Sequence, residues 1–357
     1  MPTLEATPQP ASTLAIISIQ MFDLTTGWAI GRVEGNYLTL RTTDGGIAWR
    51  EVGLEECPAY ILSSADDRLA WTGDDPVCLT TDGGQTWTAV EAPGRNVWFN
   101  DDRRGWSLGA EEWGLSFRQF DIYSFATTDD GGVTWAETNP PPGSGVAYLA
   151  FPDAQTAWAL RAGFAKSIDG VPNLGVPISL HTTFDRGGTW TTRQVPLPPE
   201  AETVDWGSMG EYLAGFGNCE FVSPVFSSLA VWKFALTCED ASWMYTSLNQ
   251  GKTWSINPMP AGVEATIDFS RPDLGWLHVA DWENDLGRLY QTSDGGRTWA
   301  LIKRTGWLDV VLSFVDAQSG WAVACTGPCR SGDSSVALVR TTDGGRTWET
   351  IEPQLVP

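Results

Sequence analysis

Residues 341–348 read Thr-Thr-Asp-Gly-Gly-Arg-Thr-Trp, and related eight-residue units, here called boxes, recur along the chain. The seven boxes occupy residues 42–49, 80–87, 128–135, 183–190, 247–254, 292–299 and 341–348, and successive boxes begin 38 to 64 residues apart. This spacing is close to the length of one four-stranded propeller blade. The repeat therefore predicts an all-β fold, a seven-bladed β-propeller of four-stranded antiparallel blades with a box turn between strands C and D.

Each residue type in the box has a role in closing a turn. An Asp side chain accepts hydrogen bonds from backbone N–H groups a few residues later, and Gly permits a positive φ. The Trp is expected to pack against the neighbouring sheet. Asn249 can make the same acceptor contact in the fifth box. We therefore predict a structural role, neither catalytic nor metal-binding, for Asp44, Asp82, Asp130, Asp185, Asn249, Asp294, Asp343, Trp49, Trp87, Trp135, Trp190, Trp254, Trp299 and Trp348.

A second repeat, Gly-Trp preceded by Phe, comes before the boxes. It is clear at Phe314–Trp321 and has relatives that begin at Phe22, Phe99, Phe151 and Phe269, whereas blades two and five match it poorly. In the last blade it predicts strands A to D at about 310–315, 320–325, 336–341 and 347–352. The domain prediction is a Pro/Thr-rich tether at 1–13, one propeller at 14–353 and a tail at 354–357.

The charge of the chain limits its partners. Asp and Glu number 44 against 22 Lys and Arg, which gives a net charge of −22. Nucleic acids and anionic membrane surfaces require clustered cations, so both are excluded as expected partners. No apolar run reaches the roughly 20 residues of a membrane-spanning helix, so no direct insertion is expected. A monomer is expected.

No cofactor or metal site is predicted. The sequence contains no phosphate-binding loop, nucleophile elbow or zinc-helix motif. His181 and His278 are the only histidines, and both are far in sequence from other potential zinc ligands.

The six cysteines follow the blade assignment. Six cysteines permit 15 pairings, and their positions in the blades favour disulfides within blades two, five and seven. The predicted pairs are Cys57–Cys78, Cys219–Cys238 and Cys325–Cys329. The Cys-x-x-x-Cys spacing of the last pair could instead hold a metal. Disulfides favour an oxidising compartment, so we expect a secreted, periplasmic or cell-surface protein whose export signal or anchor lay upstream.

The D–A and B–C loops of a propeller share one face, here called the loop face, opposite the boxes, which form the box face. Aromatic residues outside the repeats lie beside carboxylates in these loops, an arrangement that suits a protein hot spot or sugar stacking. The alternative is that the rings only cap the blades. The candidate binding residues are Glu111, Glu112, Trp113, Trp206, Tyr212, Asp281, Trp282, Glu283 and Asp285.

With Gly-Trp-Ala ahead of Thr-Thr-Asp-Gly-Gly-x-Thr-Trp, the chain resembles Asp-box (BNR) repeat proteins, and among them the photosystem II assembly-factor-like propellers, over about residues 14–352. The resemblance implies a non-enzymatic scaffold outside the cytoplasm that holds a partner protein. Those photosynthetic proteins carry an arginine patch, whereas the 18 Arg residues here are dispersed.

Asp boxes also occur in sialidases and in two-propeller xyloglucanases, so a glycoside hydrolase or sialidase-like enzyme is the alternative function. The sialidase Arg-Ile-Pro motif is absent from this sequence. A protein is the favoured partner and a glycan the alternative one.

Overall fold

The computed structural model describes residues 14–54, 56–57, 62–72, 76–112, 120–143, 146–162, 178–198, 219–238, 241–260, 265–327 and 336–357. Within these ranges the regular elements are all β-strands. None of the described residues belongs to a helix with the length and apolar character needed to cross a bilayer. The tether predicted at 1–13 lies outside the described residues.

The strands group into seven blades. Blades one to three contain β1 (Ala15–Met21), β2 (Gly27–Val33), β3 (Asn36–Thr42), β4 (Ala48–Glu51), β5 (Leu62–Ser64), β6 (Ala70–Thr72), β7 (Val77–Thr80), β8 (Thr88–Val90), β9 (Asn96–Phe99), β10 (Gly105–Glu112), β11 (Phe120–Thr128) and β12 (Ala136–Glu137). Blades four and five contain β13 (Val146–Ala150), β14 (Ala157–Ala162), β15 (Ile178–Thr183), β16 (Thr191–Val195), β17 (Cys219–Ser227), β18 (Trp232–Cys238), β19 (Ser242–Ser247) and β20 (Ser255–Met259). Blades six and seven contain β21 (Ala265–Phe269), β22 (Gly275–Asp281), β23 (Leu286–Thr292), β24 (Ala300–Thr305), β25 (Asp309–Phe314), β26 (Gly320–Cys325), β27 (Val336–Thr341) and β28 (Glu349–Ile351), and a final strand β29 spans Gln354–Val356.

Consecutive strands A to D pair antiparallel within each blade, which confirms the predicted seven-bladed all-β propeller. The four strands of the last blade agree with their predicted bounds to within two residues. Blades three and four are additionally joined, because Phe120 on β11 lies opposite Val146 on β13.

Residues 354–356, assigned above to a tail, form the strand β29. It pairs in parallel with the outer strand of blade one, so that Gln354 lies opposite Ala48 and Val356 opposite Arg50. Three residues are too few for a recognisable strand pattern, and the sequence therefore gave no sign of this fifth strand. Blade one thus combines strands from the two ends of the described chain.

The box turns have the same hydrogen bonds in blade after blade. In the second box, the Asp82 carboxylate accepts from the Thr86 backbone N–H at 2.9 Å and from the Thr86 hydroxyl at 2.6 Å. The Thr80 hydroxyl oxygen accepts the N–H of Gly84 at 2.9 Å. In the fifth box, Asn249 Oδ1 accepts the Thr253 N–H at 2.9 Å, so the amide replaces the carboxylate in this contact.

The two tryptophan repeats differ in depth. The Gly-Trp residues on strand B, and their counterparts in blades two and five, are at most 2% exposed, namely Trp28, Trp71, Trp106, Trp158, Trp232, Trp276 and Trp321. Among the box tryptophans Trp49 is fully buried, whereas the other six are half-buried. Strand B lies in the interior of each sheet, whereas the indole of the box tryptophan comes from the turn between strands C and D, at the edge of the sheet. In blades two to seven the more deeply buried tryptophan is therefore the one on strand B.

Hydrogen bonds also join neighbouring blades at the boxes. The carbonyl of the first box glycine accepts a hydrogen bond from a long side chain of the preceding blade, a contact here called the blade staple. The donors are Trp321 to Gly45 (2.8 Å), Arg41 to Gly83 (3.1 Å), Lys233 to Gly295 (2.7 Å) and Trp276 to Gly344 (3.0 Å). The box turns of blades one, two, six and seven are thus fixed to the blade before them.

Candidate binding face and central channel

The structure places the predicted loop-face residues unequally. Asp281, Trp282, Glu283 and Asp285 lie together in the β22–β23 turn of blade six. Glu111 and Glu112 are the last residues of β10 in blade three. Trp113, Trp206 and Tyr212 lie outside the described residues.

The blade six turn is held by its own side chains. The Asp281 carboxylate accepts from the Asn284 amide at 3.0 Å and from Arg288 Nη2 at 3.1 Å. Asp285 adopts a left-handed backbone with a φ of 51°, a conformation that Asp tolerates better than most residues. Asp281 therefore fixes the backbone of the turn, and Trp282, Glu283 and Asn284 project from it.

Three side chains of this turn face solvent. The Trp282 ring is 38% exposed, and Glu283 and Asp285 are exposed beside it in sequence. An accessible indole flanked by carboxylates can pack on an apolar or planar group while it attracts a positive charge. The turn therefore has the chemistry of a recognition site for a basic partner.

The turn rests on a rigid base. Below it, His278 is 1% exposed and its Nε2 lies 3.3 Å from the Thr305 hydroxyl. Burial lowers the pKa of His278 to about 4, so the imidazole is neutral at neutral pH. The Trp307 ring, in the connection from blade six to blade seven, lies 6.1 Å from the imidazole. Blade seven therefore supports the base of the blade six turn.

Disulfide chemistry is present on the loop face. Cys57, in the connection between blades one and two, is bonded to Cys78 on β7. Cys325, the last residue of β26, is also disulfide-bonded, and its predicted partner Cys329 lies outside the described residues. Cys219 and Cys238 lie directly opposite each other in the β17–β18 register, and their disulfide stays a prediction.

The box carboxylates are already committed to their turns. Hydrogen bonds from the Thr86 hydroxyl and N–H lower the pKa of Asp82 to about 2, and the matching threonine contacts do the same for Asp130 and Asp343. Such groups stay ionised at neutral pH and are poorly suited to act as general acids. Within the described ranges, no three His, Cys, Asp or Glu residues are grouped as a metal would require.

Two side-chain contacts between the inner strands of neighbouring blades were not predicted from the sequence. In blades six and seven, the next-to-last residue of strand A reaches the last residue of strand A in the following blade. Asp268 Oδ2 accepts the Phe314 N–H at 2.6 Å, and Ser313 Oγ accepts the Met21 N–H at 2.8 Å. The available signal was a single acidic residue within the otherwise uncharged strand of residues 265–269.

These contacts border a cavity of about 330 Å³, here called the channel cavity. It is lined by Ser18, Ile19, Gln20, Met21, Trp28, Ala29, Ile30, Leu62, Ser64, Asp268, Leu312, Ser313 and Phe314. Burial raises the pKa of Asp268 to about 7, against a smaller opposing effect of the Phe314 N–H. The channel therefore contains a carboxyl group that changes charge near neutral pH.

No family model and no curated protein matches the chain. Among solved structures, YCF48 from Cyanidioschyzon merolae is similar at 16% identity with a TM-score of 0.50, over 95% of this chain and 98% of that one. A structure of YCF48 bound to D1 peptide is similar at 17% identity with a TM-score of 0.47, over 91% of this chain and 94% of that one. A puromycin-hydrolyzing peptidase of Mycobacterium tuberculosis is similar at 12% identity with a TM-score of 0.54, over 98% of this chain and 56% of that one. The predicted likeness to photosystem II assembly-factor-like propellers is confirmed at the level of the fold.

Proposed function

We propose that this chain is a non-enzymatic, extracytoplasmic binding propeller that holds a protein partner on its loop face. The observation that carries the proposal is the blade six turn, where the exposed Trp282 ring stands beside Glu283 and Asp285 on a backbone fixed by Asp281. Interface hot spots are enriched in such rigid aromatic anchors. The turn projects from a propeller scaffold, so little ordering entropy is lost on binding.

The charge of the chain indicates the chemistry of the partner. A net charge of −22 attracts a basic surface and speeds its association. A segment that combines Lys or Arg with an apolar or aromatic residue fits the blade six turn. The disulfide between Cys57 and Cys78 supports a location in an oxidising compartment.

A peptide array graded in net charge tests the partner proposal. The wild-type protein is expected to bind basic peptides that contain an apolar residue, and Trp282→Ala to lose at least about tenfold in affinity. The matched control is Leu248→Ala, because Leu248 is 66% exposed in a box turn on the opposite face. Equal losses in both variants, or no loss in Trp282→Ala, would rule out the blade six turn as the binding site.

A panel of glycoside substrates tests the competing enzymatic function. Glycosidases place two carboxyl groups on either side of the scissile bond, whereas the candidate carboxylates of blade six, Asp281, Glu283 and Asp285, belong to one short turn. No turnover is expected. Turnover abolished by Glu283→Gln or by Glu111→Gln would replace the binding proposal with a hydrolase.

The proposed compartment has its own test. In protein isolated from its host, intact mass with and without reductant is expected to show no free thiol before reduction. Six free thiols in the isolated protein would place the chain in a reducing compartment.

A further inference from the structure

The channel cavity has a mostly polar surface with one ionisable group. Asp268 contributes a carboxyl group and Gln20 an amide, while the half-buried Leu62 supplies aliphatic surface. Asp268 is the only ionisable side chain among the residues that line the cavity, so no cation in this lining neutralises it. Asp268 Oδ2 accepts one hydrogen bond from the described part of the chain, from the Phe314 N–H at 2.6 Å.

A desolvated carboxylate without a counter-ion is unfavourable, and a cationic ligand would relieve this. The burial that raises the pKa of Asp268 to about 7 is the expression of that penalty. A compact ammonium group can approach the carboxylate and donate to Gln20 Oε1, which also accepts the Ser64 hydroxyl at 2.7 Å, while Leu62 can contact a short hydrocarbon stem. The cavity volume of about 330 Å³ lies within the range of small-molecule sites.

We propose that the channel cavity is a binding site for an alkylammonium group, with its charged end paired to Asp268 and its short aliphatic stem directed along the channel toward Leu62. The shared chemistry could come from a free diamine or from a lysine side chain. This site lies on strands A around the channel and is separate from the blade six turn. Loss of one site therefore leaves the other intact.

Calorimetric titration of the full chain with cadaverine and with Nα-acetyl-lysinamide tests the site and distinguishes its two sources. The neutral control ligand is 1,5-pentanediol. Wild-type protein is expected to bind at least one of the amines and to bind the diol at least about tenfold more weakly. Binding of cadaverine alone assigns the site to a free amine, and binding of the lysine derivative alone assigns it to a side chain.

Asp268→Asn is expected to lose at least about tenfold in affinity for the amine, because the amide keeps an acceptor for the Phe314 N–H but carries no charge. The control is Asp82→Asn in a box, since Asn249 shows that a box accommodates the amide. Affinity is also expected to rise from about pH 6 to about pH 8 in the wild type and to stay level in Asp268→Asn. Unchanged affinity in Asp268→Asn would overturn the proposal.

Gln20→Trp is a second test of the amine site, and it leaves the Asp268 carboxylate in place. Trp98 occupies the same next-to-last position of strand A in blade three, so the propeller already accommodates an indole there. The larger side chain is expected to fill part of the cavity and abolish amine binding while the thermal unfolding midpoint stays close to that of the wild type. Equal binding of amine and diol by all variants would likewise reject an alkylammonium site.

Discussion

Blades five and six make the same inter-blade contact with different side chains. In blade six, Trp276 Nε1 donates to the Gly344 carbonyl of blade seven. In blade five, Trp232 Nε1 donates to Ser228 of its own blade, and the adjacent Lys233 makes the blade staple to Gly295. The arrangement of the blades thus fixes where this contact forms, while the residue that supplies the donor varies from blade to blade. Blade five reads Val231-Trp232-Lys233 where blade six reads Gly275-Trp276-Leu277, and Lys233 is the residue that makes the staple.

The largest expected effect tests whether the two blades are equally dependent on their strand B indoles. Trp276 stacks on Phe314 with ring centroids 3.6 Å apart, and Trp232 stacks on Trp158 at 5.4 Å. Since both rings are fully buried, we expect Trp276→Ala and Trp232→Ala each to lower the free energy of unfolding by about 3–5 kcal/mol. Denaturant unfolding measures both.

The control for the indole pair is Trp299→Ala, because this box ring of blade six is half-buried. Its expected loss is smaller, about 1–2 kcal/mol. A Trp299→Ala loss equal to that of Trp276→Ala would contradict the difference in depth between the two tryptophan repeats.

The second effect is a pH dependence that belongs to blade six. Because the folded pKa of Asp268 is raised from 3.8 to about 7, its contribution to stability is fully present below pH 3.8 and is lost as the pH rises through about 7. Asp268→Asn is therefore expected to remove this decline and to be more stable than the wild type at about pH 8, by roughly 1–3 kcal/mol. Thermal unfolding across this pH range measures the difference.

Asp343→Asn serves as the comparison, because the pKa of Asp343 is shifted in the opposite direction to that of Asp268. The folded pKa of Asp343 is lowered to about 2, so its contribution is present above pH 3.8 and is lost as the pH falls through about 2. The variant should therefore differ from the wild type in the slope of stability below pH 4 and leave the slope near neutral pH unchanged. A changed slope near pH 7 in this variant would argue against Asp268 as the source of that dependence.

The third effect concerns a backbone position that is glycine in most boxes. Gln250 has a φ of 58° and Arg186 a φ of 60°, a left-handed conformation that costs a non-glycine residue about 1 kcal/mol. Gln250→Gly is therefore expected to stabilise the protein by up to about 1 kcal/mol, since the side-chain hydrogen bond it loses, to the Leu229 carbonyl, is exposed to solvent. Arg186→Gly should gain nothing, because it also loses the 2.6 Å ion pair to Asp129. Stabilisation by both substitutions in denaturant unfolding would show that the ion pair contributes little.

The smallest effect tests the amide in the fifth box. Asn249→Asp restores the common residue and keeps the Oδ1 contact to the Thr253 N–H. Since Asn249 Nδ2 already bonds the Thr253 hydroxyl, the hydroxyl only has to change from acceptor to donor. The expected change in the free energy of unfolding is within about 0.5 kcal/mol, and a larger loss in denaturant unfolding would show that blade five depends on the neutral amide.

The fold was predictable from the sequence because the propeller repeats one structural unit, the four-stranded blade. The boxes and the Gly-Trp repeat supplied the blade number, and the blade assignment supplied the Cys57–Cys78 disulfide. Asp268 was overlooked because its meaning depends on its facing the channel, and one charged residue in a short strand does not reveal this. The turn at Asp281 was identified from its composition, but its fixation by Arg288 depends on the register of β22 and β23.

The parallel strand β29 has a consequence for the time order of folding. Arg50 donates to the Pro357 carbonyl across a separation of 307 residues, and Met21 meets Ser313 across 292. A ribosome therefore releases the first four strands of blade one long before β29 and blade seven have been made. Throughout synthesis, one flank of that blade and the edge of β4 are open to other chains. Until β29 has been made, the uncovered edge of β4 offers a pairing site to a neighbouring copy.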